Sequence, residues 1–344
     1  MNSQQQEKLI NCIKDPSLSM DQKIKSLTIE IESLKELPKM KKPISMFESI
    51  QIEEKKRTPE FILENRIVFS DQQVIDVTGP FFKKELVVLA GRPAMGKTQL
   101  LVHWANLIAK NQRVLFHSLD CSISEITNRF LANETGILIH KINENKLETL
   151  ELEQLQKSKN QFKDKGIFLV DSSIKSLNQL KAYYKEVVKE QKIDVIFIDY
   201  LQLYSGTYNR NREQEISTFM RSIKEIANDL NVCIFLASQL SRSVEYRGGE
   251  KRPILSDLRE SGSIEEFADK VFFIYRPEYY GLTIDEDGET TVNSVEIIIA
   301  KNKLFGVNTL YLERDPNFTH FNSKPIKQSD LTWDYKIEGM DDVF

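Results

Sequence analysis

The chain has 344 residues, of which 40% are hydrophobic and 28% charged, and its formal net charge is −4 at pH 7. This length supports one large hydrophobic core and a smaller second unit. The near-neutral charge excludes a globally basic surface, so a nucleic-acid partner must be held by local positive loops. No apolar run approaches the length of a membrane span, and Cys12, Cys121 and Cys233 lack paired spacing. We therefore expect a cytoplasmic protein that makes no membrane contact and keeps its cysteines reduced.

The first 64 residues are predicted to lie outside the main domain. Apolar residues recur at three- and four-residue intervals through residues 1–37, which predicts a small helical N-terminal extension. This extension either packs on the main domain or serves as a docking or oligomerisation arm, and the pattern fits both. Pro38, Pro43 and Pro59 lie among clustered lysines and glutamates, so residues 38–64 are interpreted as a linker.

Residues 65–325 alternate short β-rich runs with helical ones, which predicts an α/β domain. Helices separate the first five strands, so the sheet is expected to be mainly parallel, twisted and flanked by helices on both faces. The later strands lie closer together in sequence and predict an antiparallel edge, and residues 326–344 form a C-terminal tail. The predicted strands are Leu86–Ala90, Val114–Leu119, Ile167–Val170, Val195–Ile198, Val232–Ala237, Val271–Tyr275 and Val295–Ile299. The predicted helices are Thr98–Lys110, Ser124–Asn133, Leu147–Lys163, Leu177–Gln191 and Glu213–Asn228.

The clearest motif lies between the first of these strands and the first helix, in the sequence ELVVLAGRPAMGKTQL. Its spacing G-x-x-x-x-G-K-T, between a strand and a helix, predicts a phosphate-binding loop. The glycines allow backbone N–H groups to point inward at a polyphosphate, and the helix N-terminus adds partial positive charge. We expect Lys97 to reach the β- and γ-phosphates of ATP and Thr98 to bind Mg²⁺. The predicted nucleotide-binding loop is Gly91, Arg92, Pro93, Ala94, Met95, Gly96, Lys97 and Thr98.

A second site element follows the strand Val195–Ile198. Asp199 ends this apolar run. In a phosphate-loop enzyme, a carboxylate at the tip of a neighbouring strand holds Mg²⁺ together with the loop hydroxyl. The sequence therefore predicts a metal site made of Thr98 and Asp199.

Four segments carry a resemblance to a known family. GRPAMGKT, IFIDYLQL, LASQLSRSVEYR and RPILSDLRESGSIEEFADKVFFIYRPEYY closely resemble the C-terminal ATPase domain of DnaB-type replicative DNA helicases. The resemblance covers roughly residues 65–325 in the family's motif order. It implies a RecA-like fold and a homo-oligomeric ring, a hexamer in the family's manner, that hydrolyses ATP at subunit interfaces while single-stranded DNA threads the pore.

The resemblance also assigns roles to individual residues. Gln239 matches the family's sensor glutamine, which lies between nucleotide and DNA, and an amide that both donates and accepts suits that task. Arg259, Glu260 and Gly262 match the DNA-facing loop, where glycine permits close approach of a phosphodiester. Separately, two arginines follow a Ser-Gly turn where a pore loop is expected, and they are candidates for phosphate contacts. These are Arg210 and Arg212.

Two positions depart from the family's pattern. The family's catalytic glutamate, in a Ser-Leu-Glu-Met tract, is replaced here by Asp120, which is one methylene shorter. The family's Lys-x-Arg tract, which supplies an arginine finger to the neighbouring subunit, reads Lys301-Asn302-Lys303 here. Lysine keeps the charge but lacks the planar fork that grips a transition-state phosphate. We expect Asp120, Lys97, Lys301 and Lys303 to form the catalytic set, with nucleotide binding more secure than fast turnover.

Three functions fit the sequence. The first is an ATP-dependent helicase or translocase, a divergent relative with replication or mobile-element proteins as partners. The second is a nucleotide-binding adaptor that hydrolyses ATP slowly, which the substitutions at Asp120 and Lys303 favour. The third is a RecA-like ATPase that binds single strands without unwinding duplexes.

Overall fold

The computed structural model describes residue 20 and residues 43–56, 58–171, 176–201, 212–258, 262–285 and 288–325. Apart from Met20, the predicted N-terminal extension lies outside these residues, as does most of the predicted tail. Arg210, Arg259 and Glu260 also lie outside them. The chain divides into two compact units, Met1–Ile62 and Leu63–Phe344, which are described separately.

The first unit contains helices where the sequence suggested a linker. Helix α1 spans Met46–Lys56, and helix α2 begins at Pro59 and ends at Asn65. Ser45 caps α1 because its hydroxyl accepts from the Glu48 N–H at 3.1 Å while the Glu48 carboxylate accepts from the Ser45 N–H at 2.8 Å. Pro59 is the first residue of its helix, where a missing N–H costs nothing. The prolines therefore mark helix starts and not an unstructured linker.

The second unit carries the α/β domain. Its described strands are β1 Arg66–Ile67, β2 Phe81–Phe82, β3 Leu86–Gly91, β4 Val114–Ser118, β5 Ile167–Val170, β6 Val195–Asp199, β7 Cys233–Gln239, β8 Lys270–Tyr275, β9 Ser294–Asn302, β10 Asn308–Arg314 and β11 Phe321–Ser323. Its described helices are α3 Gln72–Thr78, α4 Lys97–Ile108, α5 Ile123–Thr135, α6 Ile139–Asn143, α7 Thr149–Asp164, α8 Leu177–Gln191, α9 Arg212–Leu230, α10 Ser243–Tyr246 and α11 Gly262–Phe267.

Nine of the described strands form one sheet in the order β11-β10-β9-β8-β3-β7-β6-β4-β5. The six strands from β8 to β5 in this order run parallel to their neighbours, whereas β9, β10 and β11 pair antiparallel. The predicted parallel sheet with an antiparallel edge is therefore confirmed. Strands β10 and β11 were not predicted.

Both faces of the sheet are buried, which explains the nearly continuous apolar runs. In β3, Val87 and Leu89 face one core, where α4 packs, while Leu86, Val88 and Ala90 face the other, where α8 and α9 pack. Aromatic rings fill the α4 side, with Phe235 stacked on Phe197 at 4.8 Å between ring centroids. Truncation of such a buried ring to alanine typically costs about 3–5 kcal/mol. The sheet is thus a rigid support for the loops that leave its strands.

Candidate nucleotide site

Parallel strands β3, β4, β6 and β7 all end at the same side of the sheet, which we call the carboxyl edge. The loop from Gly91 to Lys97 leaves β3 at this edge and turns directly into α4. Gly96 has φ +101°, and a Cβ there would lie 2.3 Å from the Phe318 ring. A Cβ on Gly91 would lie 2.5 Å from the side chain of Ile274. Both glycines are therefore required by backbone conformation or by close packing.

Lys97 is folded back onto its own loop. Its Nζ donates to the carbonyl oxygens of Gly91 at 2.9 Å and Arg92 at 3.0 Å. Burial lowers the pKa of Lys97 to about 8, partly opposed by the charge of Asp199. A buried ammonium held only by carbonyls gains strongly from an anionic partner, so the loop favours a polyphosphate.

Thr98 and Asp199 lie together, as the sequence predicts. The Thr98 hydroxyl donates to Asp199 Oδ2 at 2.6 Å, and Asp199 is 1% exposed. Burial raises the pKa of Asp199, and the hydrogen bond from Thr98 and the charge of Lys97 oppose this shift. A hydroxyl and a carboxylate are the oxygen donors that Mg²⁺ prefers, so these residues fit that ion. No cluster of three His, Cys, Asp or Glu side chains lies elsewhere in the described part of the chain. Phosphate and water oxygens must therefore complete the coordination of Mg²⁺.

Asp120 and Gln239 also lie at the carboxyl edge. Ser118 pairs with Asp199 across β4 and β6, and Asp120 follows two residues later, exposed, where its charge contributes to the raised pKa of Asp199. Gln239 pairs with Gly91 across β7 and β3. The structure therefore brings Lys97, Thr98, Asp120, Asp199 and Gln239 to one edge of the sheet.

Arg92 does not point toward the phosphate position. Its side chain is 7% exposed, and its Nη2 and Nε donate to Glu245 Oε1 at 2.7 and 2.9 Å. Its third nitrogen, Nη1, donates to the Leu240 carbonyl at 2.9 Å. Of the predicted nucleotide-binding residues, Arg92 thus contributes its backbone to the loop, while its side chain is committed to the segment after β7.

Sequence reasoning missed an aromatic and arginine cluster on the phosphate loop. Arg276, which directly follows β8, donates to the Ala94 carbonyl at 3.1 Å and lies 4.8 Å over the Phe318 ring. Arg314 lies 5.2 Å from the same ring. Burial raises the pKa of Glu278, but hydrogen bonds from Arg276, the Asn293 N–H and Arg314 outweigh burial and lower this pKa to about 2. The strand-end position of Arg276 was a usable signal, whereas nothing in the sequence pattern singled out Phe318.

Arg129 is a second missed residue. It lies on α5, the helix that follows Asp120, and its charge opposes the raised pKa of Asp199. Its Nη1 donates to Gln99 at 3.5 Å, while its buried Nε has no hydrogen-bond partner among the described residues. An incompletely bonded guanidinium this close to the metal site can accept an anionic ligand.

Lys301 and Lys303 lie at the opposite side of the sheet, which we call the amino edge. Strand β9 runs antiparallel to β8, so Lys301 pairs with Val271, which in turn pairs with Val88. Gly91 lies three residues farther along β3, or about 10 Å. Lys303 donates to Asp269 at 2.8 Å, and Lys301 donates to the Glu265 carbonyl. The two lysines are therefore directed away from the phosphate loop of their own chain.

Of the predicted DNA-binding residues, two have described positions. Gly262 begins α11 and is exposed, and a Cβ there would meet no atom within 4 Å. Arg212 begins α9. Arg210, Arg259 and Glu260 lie outside the described residues. Among the helices that the structure describes, none has the length and apolar character needed to span a bilayer.

Comparison with known proteins identifies similar chains. A family model described as "DnaB-like helicase C terminal domain" matches residues 70–323. A "Probable replicative DNA helicase" of Trieres chinensis is 34% identical over 312 residues, which are 88% of this chain and 66% of that protein. The "Replicative DNA helicase DnaB" of Geobacillus stearothermophilus is 37% identical over 240 residues, or 69% of this chain and 52% of that protein. The chain thus spans between half and two thirds of the length of these relatives.

A solved structure is similar over the same region. This structure, an isolated ATPase domain, superposes with a TM-score of 0.72 at 28% sequence identity, covering 83% of this chain and all of that domain. The similarity includes the sheet whose carboxyl edge carries the phosphate loop.

Proposed function

The chain belongs to the DnaB-like helicase C-terminal domain family and has its RecA-like ATPase fold, and on that premise we propose that it is an ATP-driven motor acting on single-stranded DNA. The observation that carries this proposal is the meeting of Lys97, the Thr98–Asp199 pair and Gln239 at one edge of the sheet. This arrangement suits Mg·ATP. The DNA specificity rests on the family and on the loop around Gly262.

Binding uses groups that are already in place. Lys97 leaves the carbonyls of Gly91 and Arg92 and pairs with the β- and γ-phosphates. Thr98 and Asp199 hold Mg²⁺, which supplies charge neutralisation at the phosphate oxygens. Arg276, stacked on Phe318 beside Ala94, offers a flat cationic surface that suits a nucleoside base.

Hydrolysis requires an orienting carboxylate and a cation at the transferring phosphate. Asp120, exposed beside Asp199, orients the attacking water. Arg129 supplies a cation from the same chain. Lys301 and Lys303 lie at the amino edge, so they act on the phosphate loop of a neighbouring chain in a ring. We therefore propose a homo-oligomer, a hexamer as in the family, with ATP sites between subunits.

The proposal is tested by measuring ATP turnover with and without single-stranded DNA, alongside strand displacement on a forked duplex. We expect DNA-stimulated turnover with unwinding. Lys97→Ala removes the phosphate contact and lowers turnover at least about a hundredfold. Full hydrolysis by that variant would contradict the site. Turnover without unwinding favours a single-strand-binding ATPase, and binding of Mg·ATP without turnover favours an adaptor.

A further inference from the structure

The phosphate loop is joined to the segment after β7 by bonds that run in both directions. Arg92 Nη1 donates to the Leu240 carbonyl at 2.9 Å, and the Leu240 N–H donates to the Gly91 carbonyl at 3.3 Å. The same Gly91 carbonyl accepts from Lys97. Lys97 must leave this carbonyl to bind a phosphate, so nucleotide occupancy changes the bonding of the residues that hold Leu240.

Leu240 in turn is fixed to the chain that enters the proposed DNA loop. It forms an antiparallel bridge with Leu258, and the Ser241 N–H donates to the Asp257 carbonyl at 2.9 Å. Leu258 is the last described residue before Arg259. A continuous set of hydrogen bonds therefore connects the phosphate loop to Leu258 without using the side chain of Gln239.

The intervening residues form a closed unit. Glu245, on α10, accepts from the other two nitrogens of Arg92. Arg247, also beside α10, pairs with the buried Asp257 and donates to the Arg252 carbonyl at 2.8 Å. Asp257 additionally accepts from the Ile254 N–H at 2.8 Å. Any shift of Glu245 is thus transmitted to both ends of this segment, because its members are bonded to each other.

We infer that Arg92 is a positioning residue: through Leu240 and Glu245 it couples nucleotide binding at the phosphate loop to the chain entering the DNA loop. Its planar fork directs three nitrogens at two acceptors on opposite sides, which the single ammonium of a lysine could not do. This inference rests on the proposed function. It assigns to Arg92 a role in coupling in place of the phosphate contact that the loop spacing suggested.

Coupling is reciprocal, so it is measured as the factor by which single-stranded DNA changes the affinity for nucleotide. The probe is a fluorescent non-hydrolysable ATP analogue with Mg²⁺, titrated into the full chain with and without an oligothymidylate. The variant is Glu245→Ala, which leaves the phosphate loop sequence intact. Glu250→Ala is the matched control, since Glu250 is 51% exposed and lies 3.8 Å from its partner Arg252.

We expect oligothymidylate to tighten analogue binding to the wild-type chain by at least about fivefold, within the usual range of coupling between sites. Glu245→Ala brings this factor close to one while analogue affinity without DNA stays within about twofold. Glu250→Ala keeps the wild-type factor. If Glu245→Ala lowers the thermal unfolding midpoint, Glu245→Gln, which keeps the side-chain shape, reduces the factor in the same direction.

Two results would overturn the inference alone. One is an unchanged factor in both Glu245 variants. The other is an equal loss of analogue affinity with and without DNA, which would mean that Glu245 only supports the loop. A wild-type chain that binds no analogue, or whose analogue affinity ignores DNA, would instead overturn the proposed function from which the inference starts.

Discussion

The two edges of the sheet differ in how complete their chemistry is. At the carboxyl edge, Lys97 and Asp199 are buried, and burial moves both pKa values toward the neutral forms. Their hydrogen bonds to the loop carbonyls and to Thr98 hold them in position before any ligand arrives. This edge is a preorganised binding site within one chain.

The amino edge is organised differently. Lys303 is exposed, and its partner Asp269 also accepts from Lys224. Burial raises the pKa of Asp269, but hydrogen bonds from Lys224 and Lys303 outweigh it and keep the pKa low. An exposed cation in an ion pair contributes little to the stability of its own chain and is free to exchange partners. This difference supports our proposal that one edge binds ATP while the other edge completes a neighbour's site.

The largest effect is expected from mixing two inactive chains. Lys97→Ala removes the carboxyl-edge cation and Lys303→Ala the amino-edge cation, so each variant alone loses turnover. In an equal mixture, about a quarter of the interfaces combine the intact edge of each, so turnover returns if the two lysines act in different chains. ATP hydrolysis is measured after coassembly of the two variants.

The dilution control for this mixture is Lys97→Ala combined with Lys146→Ala. Lys146 is 74% exposed and pairs with Glu144, remote from both edges in its contacts. This control mixture keeps about half of its interfaces intact. A Lys97→Ala and Lys303→Ala mixture that assembles yet stays inactive would place both lysines in one site and end the distinction between the edges.

A smaller effect is expected from restoring the family's residues. Lys303→Arg gives the amino edge a planar fork for the transition-state phosphate, and Asp120→Glu extends the carboxylate by one methylene. We expect each to raise DNA-stimulated turnover by about tenfold, with little change in the affinity for ATP. Lys224→Arg, which alters the other cation on Asp269, serves as control and leaves turnover unchanged. If neither Lys303→Arg nor Asp120→Glu raises turnover, the family's geometry does not apply at these positions.

The sequence predicts those parts of the site that depend on local structure. A glycine at φ +101° and a lysine at the first helical position follow from the loop spacing, so Gly96 and Lys97 are found where expected. Asp199 follows from the end of an apolar strand, because parallel strands end at one edge. The order of the central strands is consistent with the same reasoning.

The sequence fails where a contact joins distant segments. Arg92 lies within the motif, yet its partner Glu245 is 153 residues away, so spacing alone assigned its side chain to phosphate. Phe318 reaches Gly96 only because β9, β10 and β11 return along the sheet, and the last two were not predicted. Such contacts require the tertiary fold, which periodicity does not encode.

The smallest effect on turnover is expected at His103, which supports the carboxyl edge from behind. His103 lies within 3.1 Å of Asn133, which donates to the Thr319 carbonyl next to Phe318. Burial lowers the pKa of His103 to about 3, and the charges of His320 and Lys110 contribute to this shift, against hydrogen bonds to Asn133 and Phe321.

Because this pKa lies below that of the unfolded chain, near 6.5, the unfolded state binds the extra proton as the pH falls. Stability is therefore full above about pH 6.5 and declines on acidification, by about 1.4 kcal/mol between pH 7.5 and pH 5.5 from this residue. His103→Gln removes that dependence, read as urea midpoints at the two pH values, while turnover at neutral pH stays unchanged. The exposed His140 provides the control, since His140→Gln keeps the wild-type dependence. Equal acid sensitivity of His103→Gln and the wild-type chain would show that the buried imidazole does not link the loop carrying Phe318 to pH.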